Sequence, residues 1–361
     1  MSHDPPFPTS SSPVNRVAGV GASTGSGVKA AESGSAPPLA QRNILVTGGE
    51  GFLGRHIVDA LRARGVPSER TFVVRHRDFD LTDAAAVDRL FRSAFPTGVD
   101  VVIHAAGYVG GISANLREPA KFFHDNMAMA LHLIERSVRA GLALRSGRFV
   151  LVGTASSYPD AAGVPFREED LWSGPMHPSG APYGLAKKAA GAMLEFYRTQ
   201  HGLASAYLVP INMYGPGDHF DDERAHVIPS LVSRFVRAAD ERQPVVTCWG
   251  TGRATRDFLF VRDAAEAIVR AAERVDNPAP INLGTSRETP VREAAEIIAR
   301  CAGFSGRLEW DASRPDGQAR RAIAIDRARR LLDWSPATSL EDGLAQTVAW
   351  YREHRRTKAR P

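Results

Sequence analysis

The sequence predicts a doubly wound α/β fold, in which helices cover both faces of a parallel sheet, followed by a smaller C-terminal domain. Short apolar runs of strand length alternate with longer, helix-compatible segments, which is typical of crossover units. The runs lie at 43–46, 71–74, 99–103, 148–152 and 204–209. Most are apolar throughout, as expected of strands buried on both faces. After Pro210 the alternation gives way to Gly- and Pro-rich stretches, with helices expected near 229–239, 263–274 and 340–353.

The segment before the first strand has a different composition. Residues 1–40 consist mainly of Ser, Gly, Pro and Ala. Such a segment buries too little apolar surface to offset its ordering entropy, so a disordered tail is expected. The first domain is expected at 41–212, joined by about 258–284. The smaller domain is expected at 213–257 and 285–355.

Composition and charge exclude several classes of protein. The chain is 43% hydrophobic and 24% charged, as in ordinary folded proteins. It has no apolar run of about 18 residues and no secretory signal pattern, so we expect a cytoplasmic protein without a membrane span. The formal charge of +5 is diffuse and no nucleic-acid reader module is visible. Two cysteines without metal-ligand spacing predict no metal site.

A glycine-rich turn follows the first strand directly. Gly48, Gly51 and Gly54 form a GxxGxxG motif that opens a helix-compatible segment and encloses Phe52 and Leu53. Glycines at this spacing allow a tight turn, close approach to a pyrophosphate and packing of the helix on the strand. The motif predicts a Rossmann-type dinucleotide site. Three further residues that end later strands are assigned to it: Ala105, Ala106 and Pro210.

Charged residues after the second strand bear on the choice of cofactor. Arg75 and Arg77 end that strand, and Asp80 and Leu81 follow. Arginines at this position accommodate the additional phosphate of NADP, whereas an acidic residue would bind the ribose of NAD. We therefore expect NADP(H). NAD remains an alternative, because the carboxylate of Glu50 in the glycine turn would repel a phosphate.

Three residues form a candidate catalytic set. Tyr183 and Lys187 are four positions apart, which places them on one face of a helix. A phenol with a pKa near 10 is a weak acid or base at neutral pH, and a neighbouring ammonium group favours its phenolate. Thr154 follows the fourth strand, at the edge where such sheets bind ligands, and can donate a hydrogen bond to the reacting oxygen. The set predicts hydride transfer at a carbonyl or alcohol carbon.

With these motifs the chain resembles the extended short-chain dehydrogenase/reductases, the NAD-dependent epimerase/dehydratase family, from about 43 to 351. Within it, the chain is most similar to the GDP-L-fucose synthase branch of GDP-4-keto-6-deoxy-mannose epimerase/reductases. The most specific stretches lie at 108–115, 212–218, 226–229, 249–252, 256–259 and 311–317.

The resemblance implies a role for each matching residue. Tyr183 would protonate the C4 carbonyl as NADPH delivers hydride, Lys187 would lower its pKa and bind the nicotinamide ribose, and Thr154 fills the family's Ser/Thr position. His226 matches the acid of the epimerisation step. The smaller domain would bind a GDP-sugar, and a homodimer would form through helices near 121–140 and 183–200. The residues assigned to the substrate are Asn126, Asn212, His226, Arg234, Trp249, Arg256 and Arg314.

One position departs from the branch. Ser156 stands where these enzymes have a cysteine that removes the protons at C3 and C5. A thiol has a pKa near 8.5, whereas a serine hydroxyl needs a base of its own. The sequence therefore predicts C4 reduction without efficient epimerisation.

Other activities remain open on this fold. A bifunctional 3,5-epimerase/4-reductase, a 4-epimerase with tightly bound NAD and a non-catalytic dinucleotide sensor are alternatives. A sensor would typically have lost Tyr183 or Lys187, and both are present. A 4,6-dehydratase would have an Asp-Glu pair after Thr154, which this chain lacks. No residue distinguishes a hexose from a heptose substrate.

Overall fold

The computed structural model describes residues 37–220, 225–314 and 317–358. The strands are β1 (Ile44–Thr47), β2 (Thr71–Val74), β3 (Val101–His104), β4 (Arg148–Val152), β5 (Ala204–Pro210), β6 (Met213–Tyr214), β7 (Val245–Trp249), β8 (Thr255–Arg256), β9 (Leu259–Phe260), β10 (Pro280–Leu283), β11 (Thr289–Pro290), β12 (Arg307–Asp311) and β13 (Arg320–Arg321). The α-helices are α1 (Phe52–Ala63), α2 (Ala84–Ser93), α3 (Ile112–Arg117), α4 (Pro119–Arg139), α5 (Ala181–His201), α6 (Val227–Asp240), α7 (Val261–Arg274), α8 (Val291–Cys301), α9 (Asp326–Leu332) and α10 (Leu340–Lys358).

The main sheet has six parallel strands in the order β10-β5-β4-β3-β1-β2. Its central strands are fully buried, since β1, β3 and β4 have no exposed residue. Helix α1 packs on α7, whereas α4 packs on α5 and α2, so two groups of helices flank the sheet. The predicted fold class is confirmed.

The predicted strands agree with the observed ones to within about two residues. The sixth strand, β10, was not among them. It pairs with β5 through Pro280 and Leu283, opposite Tyr207 and Pro210. The three C-terminal helices near 229–239, 263–274 and 340–353 are observed as α6, α7 and α10.

The described part of the chain contains two hydrophobic clusters. The first surrounds the main sheet and takes residues from 39 to 211, from 259 to 283 and from 323 to 334. The second lies between α6, α8 and α10. Residues 323–334 thus pack on the first cluster, although they fall within the range predicted for the smaller domain.

The folded part of the chain begins earlier than the predicted boundary at residue 41. Leu39 lies in a 3-10 helix, Leu39–Gln41, and is only 5% exposed in the first cluster. The ordered chain therefore begins before residue 41, because the Leu39 side chain packs into the first cluster. Residues 1–36 of the expected tail lie outside the described residues.

Candidate active site at the carboxyl edge of the sheet

The glycine turn has the geometry of a pyrophosphate cradle. Gly48 has φ +70°, and a Cβ there would lie 2.8 Å from the backbone nitrogen of Ala106. A Cβ on Gly54 would lie 1.9 Å from the carbonyl oxygen of Gly48. Gly51 caps α1 without a side-chain hydrogen bond, which leaves backbone N–H groups at the helix N-terminus for an anion. These residues fit a dinucleotide.

The end of β3 links this turn to Lys187, the lysine of the candidate catalytic set. Thr47 Oγ1 lies 2.8 Å from His104 Nδ1 and accepts a hydrogen bond of 3.2 Å from the backbone of Ala106. Lys187 Nζ donates to the carbonyl oxygen of Ala106 at 3.1 Å. Burial holds the pKa of His104 well below its usual range, so this histidine is neutral. Ala106 thus contacts both the predicted cofactor turn and Lys187.

The charged residues expected to bind the adenosine half of the dinucleotide lie close to the glycine turn. Arg75 Nε is 3.0 Å from Glu50 Oε1, and both side chains are about half exposed. Arg77 approaches Asp78 at 3.8 Å. The carboxylate of Asp80 accepts hydrogen bonds from the backbone and hydroxyl of Thr82, which lower its pKa. The Glu50 charge is therefore offset by Arg75. Leu81, the residue after Asp80, is buried.

Tyr183 and Lys187 occupy the first two turns of α5. Lys187 Nζ lies 6.0 Å from the centre of the Tyr183 ring. Burial lowers the pKa of Lys187 to about 8. Burial also raises the pKa of Tyr183 above its ordinary value of 10, so the phenol carries its proton at neutral pH. In this state the Tyr183 phenol carries a proton that it can donate.

The turn after β4 contacts α5 at a glycine. Thr154 Oγ1 accepts a hydrogen bond from the backbone of Ser156 at 3.1 Å and caps the 3-10 helix Ala155–Ser157. A Cβ on Gly184 would lie 2.4 Å from the Ser156 carbonyl oxygen, and Ser157 Oγ donates to the Gly184 carbonyl at 2.9 Å. Because Gly184 follows Tyr183, this close approach brings the turn beside Tyr183.

His226 lies at the start of α6, near Arg321, whose side chain contacts this turn at Ser156. It caps the helix through its backbone and lines a small pocket with Asn212, Arg256 and Phe258. His226 is exposed at the surface. The protein atoms around its ring lower its pKa by desolvation, and the nearby Arg321 lowers it further. Asn212 Nδ2 donates to the backbone carbonyl of Asp257 at 3.0 Å. The pocket therefore combines an imidazole, an amide and a guanidinium group.

Asp257 holds this half of the site together. It is fully buried and accepts hydrogen bonds from Thr285 N and Oγ1 and from Ser286 N. Burial raises the pKa of Asp257 to about 6 despite these bonds. Its own backbone N–H donates to the Arg321 carbonyl at 2.9 Å. The adjacent Arg256 is thereby fixed next to Arg321.

Arg321 was missed by the sequence reasoning. Its Nη2 donates to Ser156 Oγ at 3.1 Å, so it lies in the middle of the predicted site. It belongs to an Arg-Arg pair outside the motifs that carry the resemblance. Only the pairing of β13 with β8, which places Arg321 opposite Arg256, reveals its position.

Three predicted substrate residues lie farther out on the smaller domain. Arg234 Nη1 donates to the Thr247 carbonyl at 2.9 Å. Trp249 is 65% exposed, and the Arg314 guanidinium stacks over its ring at 5.3 Å. Arg314 also lies 3.7 Å from Asp311. Contact of these three residues with a substrate remains a prediction. Residues 315–316 of the 311–317 stretch lie outside the described residues.

Asn126 has a different environment from the one expected. It is fully buried in α4, where its Oδ1 accepts from the Tyr108 backbone at 3.0 Å and its Nδ2 donates to the carbonyls of Tyr108 and Phe122. A side chain without exposed surface and with its amide already bonded cannot reach a ligand directly. The geometry indicates that Asn126 positions the 107–108 loop beside Lys187.

Comparison with known proteins agrees with this geometry. The model of the NAD dependent epimerase/dehydratase family matches residues 44–284, more than half of the chain. The chain belongs to this family. It is 35% identical to GDP-L-fucose synthase 1 of Arabidopsis thaliana over 85% of this chain and 92% of that protein. It is 34% identical to GDP-L-fucose synthase of Escherichia coli K12 over 88% of this chain and 98% of that protein.

Solved structures show the same fold. A GDP-L-fucose synthetase from Naegleria fowleri bound to NADP is 25% identical, with a TM-score of 0.78 over 88% of this chain and 96% of that one. A GDP-6-OMe-4-keto-L-xylo-heptose reductase from Campylobacter jejuni, at 24% identity, has a TM-score of 0.79 over 87% and 99%. The predicted family, the NAD(P)-dependent cofactor class and the oxidoreductase class are confirmed.

Across the described residues, none of the helices has the length and apolar character that a membrane span requires. The same residues contain no group of three or more His, Cys, Asp or Glu side chains arranged to hold a metal ion.

Proposed function

We propose that this enzyme is an NADPH-dependent reductase that acts at C4 of a GDP-4-keto-6-deoxy sugar, either a hexose or a heptose. The observation that carries the proposal is the Tyr183 ring with the buried Lys187 Nζ 6.0 Å from its centre, and Ser156 rather than a thiol on the adjoining turn. The similarity to GDP-L-fucose synthases over most of both chains supports the GDP-sugar class.

In this mechanism the bound dinucleotide supplies the hydride. The protein's residues hold the substrate and supply the proton. Thr154, on the turn after β4, donates a hydrogen bond to the C4 oxygen. Tyr183 transfers its proton to the same oxygen, and Lys187 stabilises the phenolate that results. The helix N-terminus at Gly51 and the nearby Arg75 bind phosphates of the dinucleotide.

Efficient epimerisation is not part of the proposed activity. Proton removal at C3 or C5 needs a base with a pKa near the working pH. The Ser156 hydroxyl is a far weaker acid than a thiol, and its oxygen already accepts a hydrogen bond from Arg321. The lowered pKa of His226 leaves its imidazole mostly uncharged at neutral pH. Inversion of a carbon centre needs one group to remove a proton and another to deliver one from the opposite face, and His226 alone does not supply both.

Deuterium exchange tests this proposal. The wild-type enzyme is incubated in heavy water with GDP-4-keto-6-deoxy-mannose, with or without NADPH, and the sugar is analysed by NMR. We expect reduction at C4 with NADPH and no exchange at C3 or C5 at a comparable rate. Exchange as fast as reduction would assign epimerase activity and move the base to another residue, with His226→Gln as the variant that identifies it.

A competition between two sugars identifies the preferred substrate. GDP-4-keto-6-deoxy-mannose and its heptose homologue are offered in equal amounts, and the ratio of the two products gives the ratio of kcat/KM. Absence of NADPH oxidation with both sugars would exclude C4 reduction of these substrates. A sugar interconverted at C4 without added coenzyme would instead indicate a 4-epimerase with bound NAD.

A further inference from the structure

Gly180 is a glycine that neither backbone conformation nor packing requires. Its φ of −124° lies outside the left-handed region that favours glycine. Among the described residues beyond its own segment, a Cβ there would meet only Ser156 within 4 Å, with Cβ at 3.4 Å and Oγ at 3.5 Å, which are ordinary contact distances. Gly184, one turn further along α5, is different, because its Cβ would lie 2.4 Å from the Ser156 carbonyl oxygen. The space beside Gly180 is therefore open.

The helix that follows Gly180 would favour a different residue at this position. Gly180 is the N-cap of α5 and forms no side-chain cap hydrogen bond. Ser, Asn or Asp at an N-cap accepts a hydrogen bond from the N–H of the second or third helical residue. Here the second is Pro182, which has no N–H, and the third is Tyr183. The glycine forgoes a cap beside Tyr183, which indicates that the open space itself is used.

The open space adjoins the groups that hold the reacting carbon in the proposed mechanism. Thr154 and Tyr183 bind the C4 oxygen there, and the Ser156 backbone donates to Thr154 Oγ1 at 3.1 Å. The Ser156 side chain thus lies between Thr154 and Gly180, which is three residues before Tyr183. A group on a ring carbon next to C4 would extend into this space. C5 is such a carbon, and it carries the exocyclic chain of the sugar.

We propose that Gly180 is a specificity-determining residue, whose missing side chain leaves room for a hydroxymethyl extension of the exocyclic chain, as in a 6-deoxyheptose. The inference rests on the proposed function and names the sugar that the same site prefers. A 6-deoxyhexose has a methyl group on C5, and a 6-deoxyheptose has one CH₂OH group more. This extension lies against the Ser156 side chain, in space that a hexose leaves unfilled.

A graded series at residue 180 tests the assignment. The serine side chain is itself a CH₂OH group, so Gly180→Ser adds to the protein the group by which the two sugars differ, and Gly180→Ala adds only its carbon. GDP-4-keto-6-deoxy-mannose and its heptose homologue are compared by kcat/KM with NADPH. Wild type should prefer the heptose roughly 10-fold or more, the lower limit for one carbon in a binding pocket. Gly180→Ala should reduce this preference, and Gly180→Ser should remove it.

Thermal unfolding separates selectivity from stability. Serine is at least as good an N-cap as glycine, and alanine is much worse. Tm should therefore fall only in Gly180→Ala, whereas the heptose preference should fall furthest in Gly180→Ser. Gly163→Ser is the matched control, because Gly163 is exposed and its Cβ would meet nothing within 4 Å. It should keep the wild-type ratio of the two sugars.

The outcomes separate this assignment from the proposed function. Wild type without a heptose preference, a preference that Gly180→Ser leaves unchanged, or a clearly lower Tm in Gly180→Ser overturns the role of Gly180. Reduction of both sugars in these cases leaves the proposed C4 reductase intact. If neither sugar is reduced, both proposals fail.

A second experiment needs no substrate. Gly180→Cys and Gly163→Cys are alkylated without ligands, and mass spectrometry distinguishes the new thiols from Cys248 and Cys301. A helix N-terminus lowers the pKa of a thiol, which increases its reactivity. With open space around it, the Gly180→Cys thiol should therefore react at least as fast as the Gly163→Cys thiol. A rate more than about tenfold lower contradicts the open space on which the assignment depends.

Discussion

Replacement of Gly184 by alanine tests how closely α5 must approach the turn after β4. The new Cβ would lie 2.4 Å from the Ser156 carbonyl oxygen, whereas ordinary contact begins at 3.4 Å, so the turn must move by 3.4 − 2.4, about 1 Å. A displacement of that size in a catalytic group costs roughly 100-fold in rate. Overpacking costs about 1–3 kcal/mol, offset by about 1 kcal/mol from the better helix propensity of alanine.

The expected variant is therefore folded but nearly inactive. A net loss of about 2 kcal/mol at most lowers Tm by no more than about 8 °C, while kcat/KM falls roughly 100-fold. Gly147→Ala is the control, since its Cβ would lie 2.6 Å from the Leu142 carbonyl oxygen, before β4 and therefore at the opposite end of that strand from the turn. It should lower Tm without a comparable loss of kcat/KM per folded molecule. Wild-type kcat/KM in Gly184→Ala would refute the reasoning.

Four further predictions follow from the site and the surface. Tyr183→Phe should remove nearly all turnover and keep coenzyme binding, measured by fluorescence titration; substantial residual turnover would place the acid elsewhere. Because burial lowers the pKa of Lys187 to about 8 and its charged form is required, kcat/KM should be constant below that pH and fall as pH rises through about 8, a limb absent from the residual activity of Lys187→Met. NADPH should bind more tightly than NADH, and Glu50→Gln, which releases Arg75, should increase the preference; tighter NADH binding would assign control to Glu50. A homodimer should form through α4 and α5, which expose apolar side chains such as Phe196 at 69%, and a monomer in light scattering at micromolar concentration would contradict it.

The main sheet could be predicted because burial on both faces leaves a direct record in the sequence. Strands such as 148–152 are apolar at nearly every position, and the glycines at 48, 51 and 54 are required by contacts that a Cβ would prevent. Strand β10 could not be predicted in the same way. It has four residues, begins with a proline and contains Asn282, whose side chain bonds Tyr158 across 124 positions of the chain.

The site was predictable where local spacing carries the chemistry. Tyr183 and Lys187 share a helical face by their separation alone, and Thr154 ends a recognisable strand. Arg321 depends on a two-residue strand whose partner is 65 positions earlier, so only tertiary structure places it. For Asn126, the sequence predicted a contact with the substrate, whereas its side-chain amide bonds to the backbone of Tyr108 in the structure.

The interleaving of the two hydrophobic clusters has a consequence for protein engineering. At β9 the chain alternates residue by residue, with Phe258 and Phe260 in the second cluster and Leu259 and Val261 in the first. The second cluster is completed only by α8 and by α10 near the C-terminus. A chimera that exchanged one contiguous block between relatives would therefore cut through both cores. Recombination that exchanges the second cluster must transfer the segments around α6, α8 and α10 together, as a three-part cassette with its junctions in exposed loops.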